Sequence, residues 1–272
     1  MSAPRVAVIQ FPGVNCEAET VRALGRAGLA GEVFRWTRPA RELGGYQAYV
    51  LPGGFSWQDR VRAGALAAKD ALMETLAGEA GARGKPVLGI CNGAQVLVEA
   101  GLVPGGDGVA LALATNRMGG RSGYFARWIH VRVERSACVF TRDLPEGTVL
   151  PLPVAHGEGR FTSGSRGRMA ALLDAGQVPL RYADAGGGIA TTFPEDPNGS
   201  ELGAAAVCNA AGNVLGMMPH PERAFELGQL SRCIPGEWAV RRERASETGT
   251  AAGEPGPGLL LFDGLRRHLE GA

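Results

Sequence analysis

The sequence has little that would mark a membrane, secreted or nucleic-acid-binding protein. None of its apolar runs is long enough to cross a bilayer, and the N-terminus lacks the basic-then-apolar pattern of a signal peptide. The 28 basic and 27 acidic side chains nearly balance, with a formal net charge of +1. Such a balance gives no reason to expect nucleic acid or an anionic membrane as a partner. We therefore expect a cytoplasmic protein.

The cysteine and glycine patterns argue against three further classes of site. The five cysteines are odd in number and scattered, which argues against a disulfide framework and for a reducing compartment. No CxxC pair or Cys/His cluster has metal-ligand spacing, so we expect no metal site. Gly84-Lys85 is followed by Pro86 in place of Ser or Thr, which argues against a phosphate loop there. We therefore expect no cofactor in this chain.

The first half of the chain alternates strands with helices. Strands are predicted at 5–10, 31–36 and 46–51, and a further short strand ends at Ile90. Helices are predicted at 17–27 (capped by Asn15), at 65–77 and directly after Cys91. This rhythm is typical of an α/β fold with a mostly parallel central sheet and helices on both faces. In such sheets, ligands bind at the carboxyl ends of the strands.

The second half has a different pattern. An alternating stretch predicts an antiparallel strand at 128–133. Further strands are predicted at 149–155, 180–182, 204–209 and 214–218, and a closing helix at 259–269. Residues 241–258 are rich in charge, Gly, Pro, Ser and Thr. We interpret this tract as a mobile insertion within a single domain that spans 1–272.

Cys91 lies where a predicted strand turns sharply into a helix, between Gly89 and Gly93. The serine version of this G-x-C-x-G pattern is the nucleophile elbow, in which the helix N-terminus favours a thiolate and can hold an oxyanion. The alternative is a buried structural cysteine, and the two flanking glycines favour the nucleophile. Cys16 also follows a strand but lacks such glycines, so we interpret it as a packing residue.

A cysteine nucleophile needs a base, and the sequence has four histidines. His156 and His220 both follow predicted strands and could both reach the site. His220 has the better surroundings, because Glu222 lies two residues on, and in extended chain both side chains point to one face. Glu222 could then orient the imidazole and stabilise its charged form. The alternative is a surface His-Pro-Glu turn.

Gly53-Gly54 ends the third predicted strand, at the same edge of the sheet as Cys91. Gly53-Gly54 is therefore a candidate for the second oxyanion donor, beside the backbone N–H of Asn92. The alternative is a plain Gly-Gly turn.

These residues resemble the class I glutamine amidotransferases, which have a flavodoxin-like fold. The resemblance rests on Gly89-Ile90-Cys91-Asn92-Gly93 with Gln95, and on His220-Pro221-Glu222. Further motifs are similar to those of one subgroup, the glutaminase subunits of phosphoribosylformylglycinamidine synthase, an enzyme of purine biosynthesis. They are Phe11-Pro12-Gly13 with Asn15-Cys16, Pro52-Gly53-Gly54-Phe55-Ser56, His156-Gly157-Glu158-Gly159-Arg160-Phe161, Pro197-Asn198-Gly199-Ser200, and Gly212-Asn213-Val214-Leu215-Gly216-Met217-Met218-Pro219 leading into His220.

The resemblance implies that Cys91 attacks the side-chain amide of glutamine, releases ammonia and forms a glutamyl thioester that water hydrolyses. It implies that His220 moves protons and that Glu222 orients it. The resemblance also implies that the N–H groups of Gly54 and Asn92 form an oxyanion hole. It implies that Gln95, His156 and Gly157 line the substrate site.

The resemblance further implies partner subunits. Ammonia would pass to a large synthetase subunit that converts formylglycinamide ribonucleotide to formylglycinamidine ribonucleotide, with ATP and magnesium bound in that partner, and a small accessory subunit is expected. Two departures from the family pattern stand out. Trp57-Gln58 replaces the more usual aromatic residue and glycine before Asp59, and the tract 241–258 is extra.

Two other functions stay open on the sequence. One is a different cysteine hydrolase of the same fold, such as a peptidase or a γ-glutamyl hydrolase. The other is a non-catalytic scaffold subunit, against which the intact Cys91, His220 and Glu222 argue.

Overall fold

The computed structural model describes residues 2–106, 108–165 and 167–271, so the two terminal residues of the predicted domain lie outside it. Nine strands form one sheet in the order β2-β1-β3-β4-β11-β10-β9-β6-β7, and β5 and β8 form a separate small sheet. The strands are β1 Arg5–Gln10, β2 Ala30–Arg35, β3 Ala48–Leu51, β4 Val87–Ile90, β5 Ala112–Ala114, β6 Phe125–Val133, β7 Val149–His156, β8 Arg160–Thr162, β9 Leu180–Ala183, β10 Ala204–Cys208 and β11 Val214–Met217.

The first five strands of the sheet order, from β2 to β11, are all parallel. Strands β3, β4 and β11 are buried at every residue. A strand can be apolar throughout only if both faces of the sheet are covered, as in α/β proteins. The predicted α/β fold, with its parallel sheet between helices, is confirmed.

The other half of the sheet is antiparallel, as the alternating pattern at 128–133 predicts. Strand β7 lies four strands away from β11 in the sheet order. Nevertheless, the Pro153 carbonyl accepts a hydrogen bond from the His220 N–H at 2.8 Å. The antiparallel half therefore curls back and brings the end of β7 to the carboxyl ends of the parallel strands.

Six α-helices accompany the sheet: α1 Glu17–Arg26, α2 Ala71–Ala82, α3 Asn92–Glu99, α4 Arg168–Asp174, α5 Glu237–Glu247 and α6 Leu259–Glu270. The helix predicted at 65–77 begins later, because the Asp70 side chain caps it by accepting a hydrogen bond from the Leu72 N–H at 2.9 Å. The predicted capping of α1 by Asn15 is wrong, since Cys16 is the N-cap residue and no side chain caps the helix. None of the helices in the described residues has the length and apolar character that a bilayer crossing requires.

The tract 241–258, interpreted as a mobile insertion, is in part a helix. Residues up to Glu247 belong to α5, and Ala245 packs against Leu227 and Leu230 in a small second core. Arg242 is also buried, and its guanidinium donates to the Ser231 carbonyl. Beyond Glu247 the tract is anchored as well, because the carbonyls of Glu254 and Ala251 accept hydrogen bonds from the N–H groups of Leu227 and Gly228. Its mobility and the single-domain assignment stay predictions.

The loop after β3 has unusual backbone geometry. Trp57, Gln58 and Asp59 are consecutive residues with φ of 54°, 58° and 51°, in the left-handed region that glycine prefers. Gln58 stands where the resemblance leads us to expect glycine. The turn still forms although Gln58 replaces the expected glycine. Gln58, which has a Cβ, is therefore held in a strained conformation.

Replacing Gln58 with glycine should relieve this strain. We expect Gln58→Gly to raise the free energy of unfolding by about 0.5–1 kcal/mol, measured by urea denaturation. Gln58→Ala is the matched control, because it removes the same side chain but keeps the Cβ, and it should give no gain. Equal effects of the two substitutions would show that the backbone conformation is not the cause.

Candidate active site

Cys91 occupies the turn between β4 and α3, as predicted. Its φ of 51° and ψ of −105° are rare for a residue with a side chain. Two backbone hydrogen bonds hold it there: its N–H donates to the Met217 carbonyl at 2.7 Å, and its carbonyl accepts from the Gln95 N–H at 3.1 Å. A strained residue that neighbouring structure holds in place is typical of a functional site.

The glycines beside Cys91 allow α3 to lie directly on the strands. A Cβ on Gly93 would be 1.9 Å from the carbonyl oxygen of Leu51, at the end of β3. A Cβ on Gly89 would be 2.6 Å from the carbonyl oxygen of Gly93. Any side chain at Gly93 would therefore push the helix N-terminus away from the strand ends.

His220 and Glu222 form a buried ion pair. The Nδ1 of His220 donates to the Oε1 of Glu222 at 2.5 Å, and the two residues are 2% and 0% exposed. The chain here is a tight turn over Pro221–Arg223, so the extended geometry assumed from the sequence is wrong, although the two side chains do meet. Glu222 therefore holds the imidazole with its Nε2 free.

Opposing effects act on the pKa of His220. Burial lowers it, but the Glu222 carboxylate raises it, as do Cys91 and Cys16, and the net pKa lies well above its usual value. In the described structure the Sγ of Cys91 faces the carbonyl oxygen of Ala155 at 3.6 Å and forms no hydrogen bond with His220. Such catalytic contacts often close only when substrate is bound.

Gly53 lies against the imidazole of His220, and Gly54 lines the pocket that Cys91 opens into. A Cβ on Gly53 would be 2.7 Å from Cε1 of His220, so only glycine lets the ring approach. Gly54 has φ of 145° and lines the same pocket as Cys91. Within the described chain, the N–H groups of Gly54 and Asn92 have no hydrogen-bond acceptor. Both are available to an oxyanion, and this role stays a prediction.

Asn92 and Gln95 link α3 to two loops. The Asn92 side chain accepts from the Ser56 N–H at 2.9 Å and donates to Oε1 of Gln95 at 3.0 Å. Gln95 in turn donates to the carbonyl oxygen of Glu158 at 2.7 Å. The oxygen and the nitrogen of the Gln95 amide therefore both form hydrogen bonds within the protein. In this structure Gln95 stabilises the pocket lining, and its predicted contact with glutamine stays a prediction.

The His156 ring is buried and neutral. Burial, and then the nearby charge of His220, lower the pKa of His156 to about 3. Its Nδ1 lies 3.2 Å from Oδ1 of Asn116, which also accepts from the Gly159 N–H. His156 is therefore held in the wall and cannot serve as the base near neutral pH, which leaves His220. The bracing residue Asn116 lies outside every motif quoted from the sequence.

One pocket of about 170 Å³ unites most of the predicted residues. Its lining includes Gly54, Cys91, Gln95, His156 and Gly157, whereas Asn92, His220 and Glu222 are not among the lining residues. Two larger grooves contain none of the predicted site residues: one of about 440 Å³ runs along β6, and one of about 400 Å³ lies by the first residues of β7 and α5.

Cys16 lies beside the base, which the packing interpretation missed. Its Sγ lies within 4.8 Å of a ligand atom of His220 and of Glu222, and it accepts from the Arg223 guanidinium at 3.0 Å. Among the described residues, these three form the one group close enough to hold a metal ion, but His220 and Glu222 already pair with each other. The available signal was that Cys16 follows the carboxyl end of β1.

Comparison with known proteins gives consistent matches. Residues 3–263 match the CobB/CobQ-like glutamine amidotransferase domain. The chain is 46% identical to phosphoribosylformylglycinamidine synthase subunit PurQ of Methanothrix thermoacetophila, over 98% of both chains, and 44% identical to that of Thermus thermophilus, over 82% of this chain and 90% of the relative. It resembles a chain in the structure of PurLQS from Thermotoga maritima, with a TM-score of 0.67, 32% identity, and 91% and 99% of the two chains covered.

Cys91→Ala should abolish glutamine hydrolysis, because removing a catalytic nucleophile costs about 10⁴-fold or more in rate. Cys16→Ala is the matched control, and it should cost less than about tenfold, since it removes only weak hydrogen bonds to sulfur. The measurement is glutamate release from saturating glutamine. Equal losses in the two variants would contradict the assignment of Cys91 as nucleophile.

Glu222→Gln keeps the shape of the side chain but removes the carboxylate that raises the pKa of His220. We expect turnover to fall by about 10⁴-fold. The alkaline limb of the remaining pH–rate profile should move to lower pH, because the pKa of His220 falls. Glu19→Gln, which removes a carboxylate that pairs with Arg223, is the control. Wild-type turnover in the Glu222 variant would show that the ion pair is only structural.

Proposed function

Because the chain belongs to the family of glutaminase subunits of phosphoribosylformylglycinamidine synthase, we propose that Cys91, His220 and Glu222 hydrolyse glutamine to glutamate and ammonia. The observation that carries the proposal is that Cys91, held in a strained turn, opens into a pocket beside the buried His220–Glu222 pair. The chain is a glutamine amidotransferase, and this geometry supports the proposed residue roles.

In the first half of the reaction, His220 takes the proton of the Cys91 thiol, and the resulting thiolate attacks the amide carbon of the glutamine side chain. The amide oxygen becomes an oxyanion, which the N–H groups of Gly54 and Asn92 stabilise. His220 transfers a proton to the amide nitrogen, the carbon–nitrogen bond breaks, and ammonia leaves. A glutamyl thioester remains on Cys91.

In the second half, water replaces ammonia. His220 accepts a proton from the water as its oxygen attacks the thioester carbon, and the same two N–H groups hold the second oxyanion. The carbon–sulfur bond breaks, His220 returns its proton to the Cys91 sulfur, and glutamate leaves. Glu222 stabilises the charged imidazole in both halves, which requires the Nδ1 contact seen at 2.5 Å.

The ammonia goes to a synthetase partner. PurQ is named as a subunit of its synthase, and the PurLQS structure supports a complex with further chains. In this proposal the partner binds ATP and magnesium and converts formylglycinamide ribonucleotide to formylglycinamidine ribonucleotide. A small accessory subunit and a cytoplasmic location belong to the same proposal.

Two tests separate this function from its alternatives. The first compares substrates: a peptidase would cleave peptides and a γ-glutamyl hydrolase would cleave γ-glutamyl chains, and neither needs a synthetase. A scaffold subunit would not release ammonia at all. The proposed function predicts that a complex carrying Cys91→Ala makes formylglycinamidine ribonucleotide from free ammonia but not from glutamine. Product formation from glutamine by that complex would contradict it.

We expect the isolated chain to be a poor glutaminase that its partner activates. Gly54 can reorient its peptide at low steric cost, so the partner could complete the oxyanion hole by fixing this loop. Losing one such donor costs about 10²–10³ in turnover, which sets the expected activation. The measurement is ammonia release from saturating glutamine with and without the synthetase, loaded with ATP and its nucleotide substrate. Full activity of the isolated chain would rule out this gating.

A further inference from the structure

Two carboxylates line the pocket that Cys91 opens into. Asp59 comes from the loop after β3, and Glu158 comes from the loop after β7. Each has one oxygen in a long hydrogen bond: Asp59 accepts from the Asn92 side chain at 3.3 Å, and Glu158 accepts from the Ala63 N–H at 3.4 Å. The other oxygen of each has no partner within the described chain, and neither residue forms a salt bridge there.

The two carboxylates lack a neutralising cation. Burial, and then repulsion by Glu158, raise the pKa of Asp59 to about 6. The nearby Arg62 is committed elsewhere, because its guanidinium forms two hydrogen bonds with Glu99. Near neutral pH the pocket therefore carries negative charge on both of these walls.

A third acceptor belongs to His156, whose side chain is also part of the pocket lining. The Asn116 amide donates through Nδ2 to two backbone carbonyls, so its Oδ1 must accept the proton of His156 Nδ1. The neutral ring then has a bare lone pair on Nε2, which is buried and has no partner in the described structure. Two carboxylates and this nitrogen call for a ligand that is cationic and rich in N–H donors.

We propose that Asp59 and Glu158 bind the α-ammonium group of glutamine and thereby position its side-chain amide at Cys91. This inference rests on the proposed function, whose substrate carries one cationic group at the end opposite the reacting amide. Asp59 is tied through Asn92 to the helix that follows Cys91, so the distance between the binding carboxylate and the nucleophile is fixed. Pre-arranged charges of this kind orient a substrate without reorganisation.

The proposal has a consequence for specificity. A glutamine residue within a peptide has no α-ammonium group. It would leave the half-buried carboxylates of Asp59 and Glu158 without a cationic partner and would therefore bind poorly. The pocket would therefore accept free glutamine and reject glutamine in proteins.

The test compares two substrates in the complex with the synthetase. Glutaramate is glutamine without its α-amino group, so it retains the reacting amide. Asp59→Asn and Glu158→Gln should each lower kcat/KM for glutamine by about ten- to a hundredfold, mainly through KM, because each removes a charged hydrogen-bond partner. With glutaramate, both variants should match the unsubstituted protein within about threefold, since the lost interaction is never made.

The controls separate recognition from folding. Asp59→Asn keeps an oxygen that can accept from Asn92, so the loop geometry is preserved. Asp174→Asn changes an exposed carboxylate at the end of α4 and should leave both substrates unaffected. Thermal unfolding of each variant checks stability.

Equal losses with glutamine and glutaramate would overturn this inference, because the carboxylates would then act on the reaction and not on the ammonium group. Unchanged kinetics with glutamine would overturn it as well. Absence of glutamine hydrolysis by the unsubstituted complex would instead contradict the proposed function itself, so the two failures are distinguishable.

Discussion

The rest of the site depends on one close backbone contact, between Gly93 at the start of α3 and the Leu51 carbonyl at the end of β3. Because the helix lies directly on the strand end, the chain must turn within a single residue, and Cys91 takes its strained conformation there. The same contact brings the helix N-terminus beside the Gly53-Gly54 turn. Because Gly93 has no side chain, this contact can form, and it positions the nucleophile and both proposed oxyanion donors.

Much of this arrangement could be predicted because its signals are local in the sequence. Strand β1 has the predicted bounds, 5–10, and β4 ends at Ile90 as predicted, since continuous apolar runs between turn residues are typical of buried parallel strands. The turn at Cys91 was predicted from its two flanking glycines. The meeting of His220 and Glu222 was predicted as well, although through an extended segment and not the tight turn that is present.

The rest could not be predicted because it depends on residues far apart in the sequence. Cys16 contacts Arg223, and Asp59 shares a pocket with Glu158, only after the sheet has assembled and its antiparallel half has curled back. The helix at 237–247 was missed for a related reason. Its composition is that of an exposed segment, and a few contacts made through Ala245 and Arg242 anchor it.

The His220–Glu222 ion pair and the two carboxylates of Asp59 and Glu158 differ in exposure, so their interactions respond differently to salt. The His220–Glu222 pair is sealed from solvent, so dissolved ions cannot reach it. Asp59 and Glu158 are only half-buried at the wall of an open pocket, where the screening length is about 8 Å at physiological ionic strength. If Asp59 and Glu158 bind the ammonium group as proposed, ionic strength acts on the capture of glutamine more than on the His220–Glu222 pair.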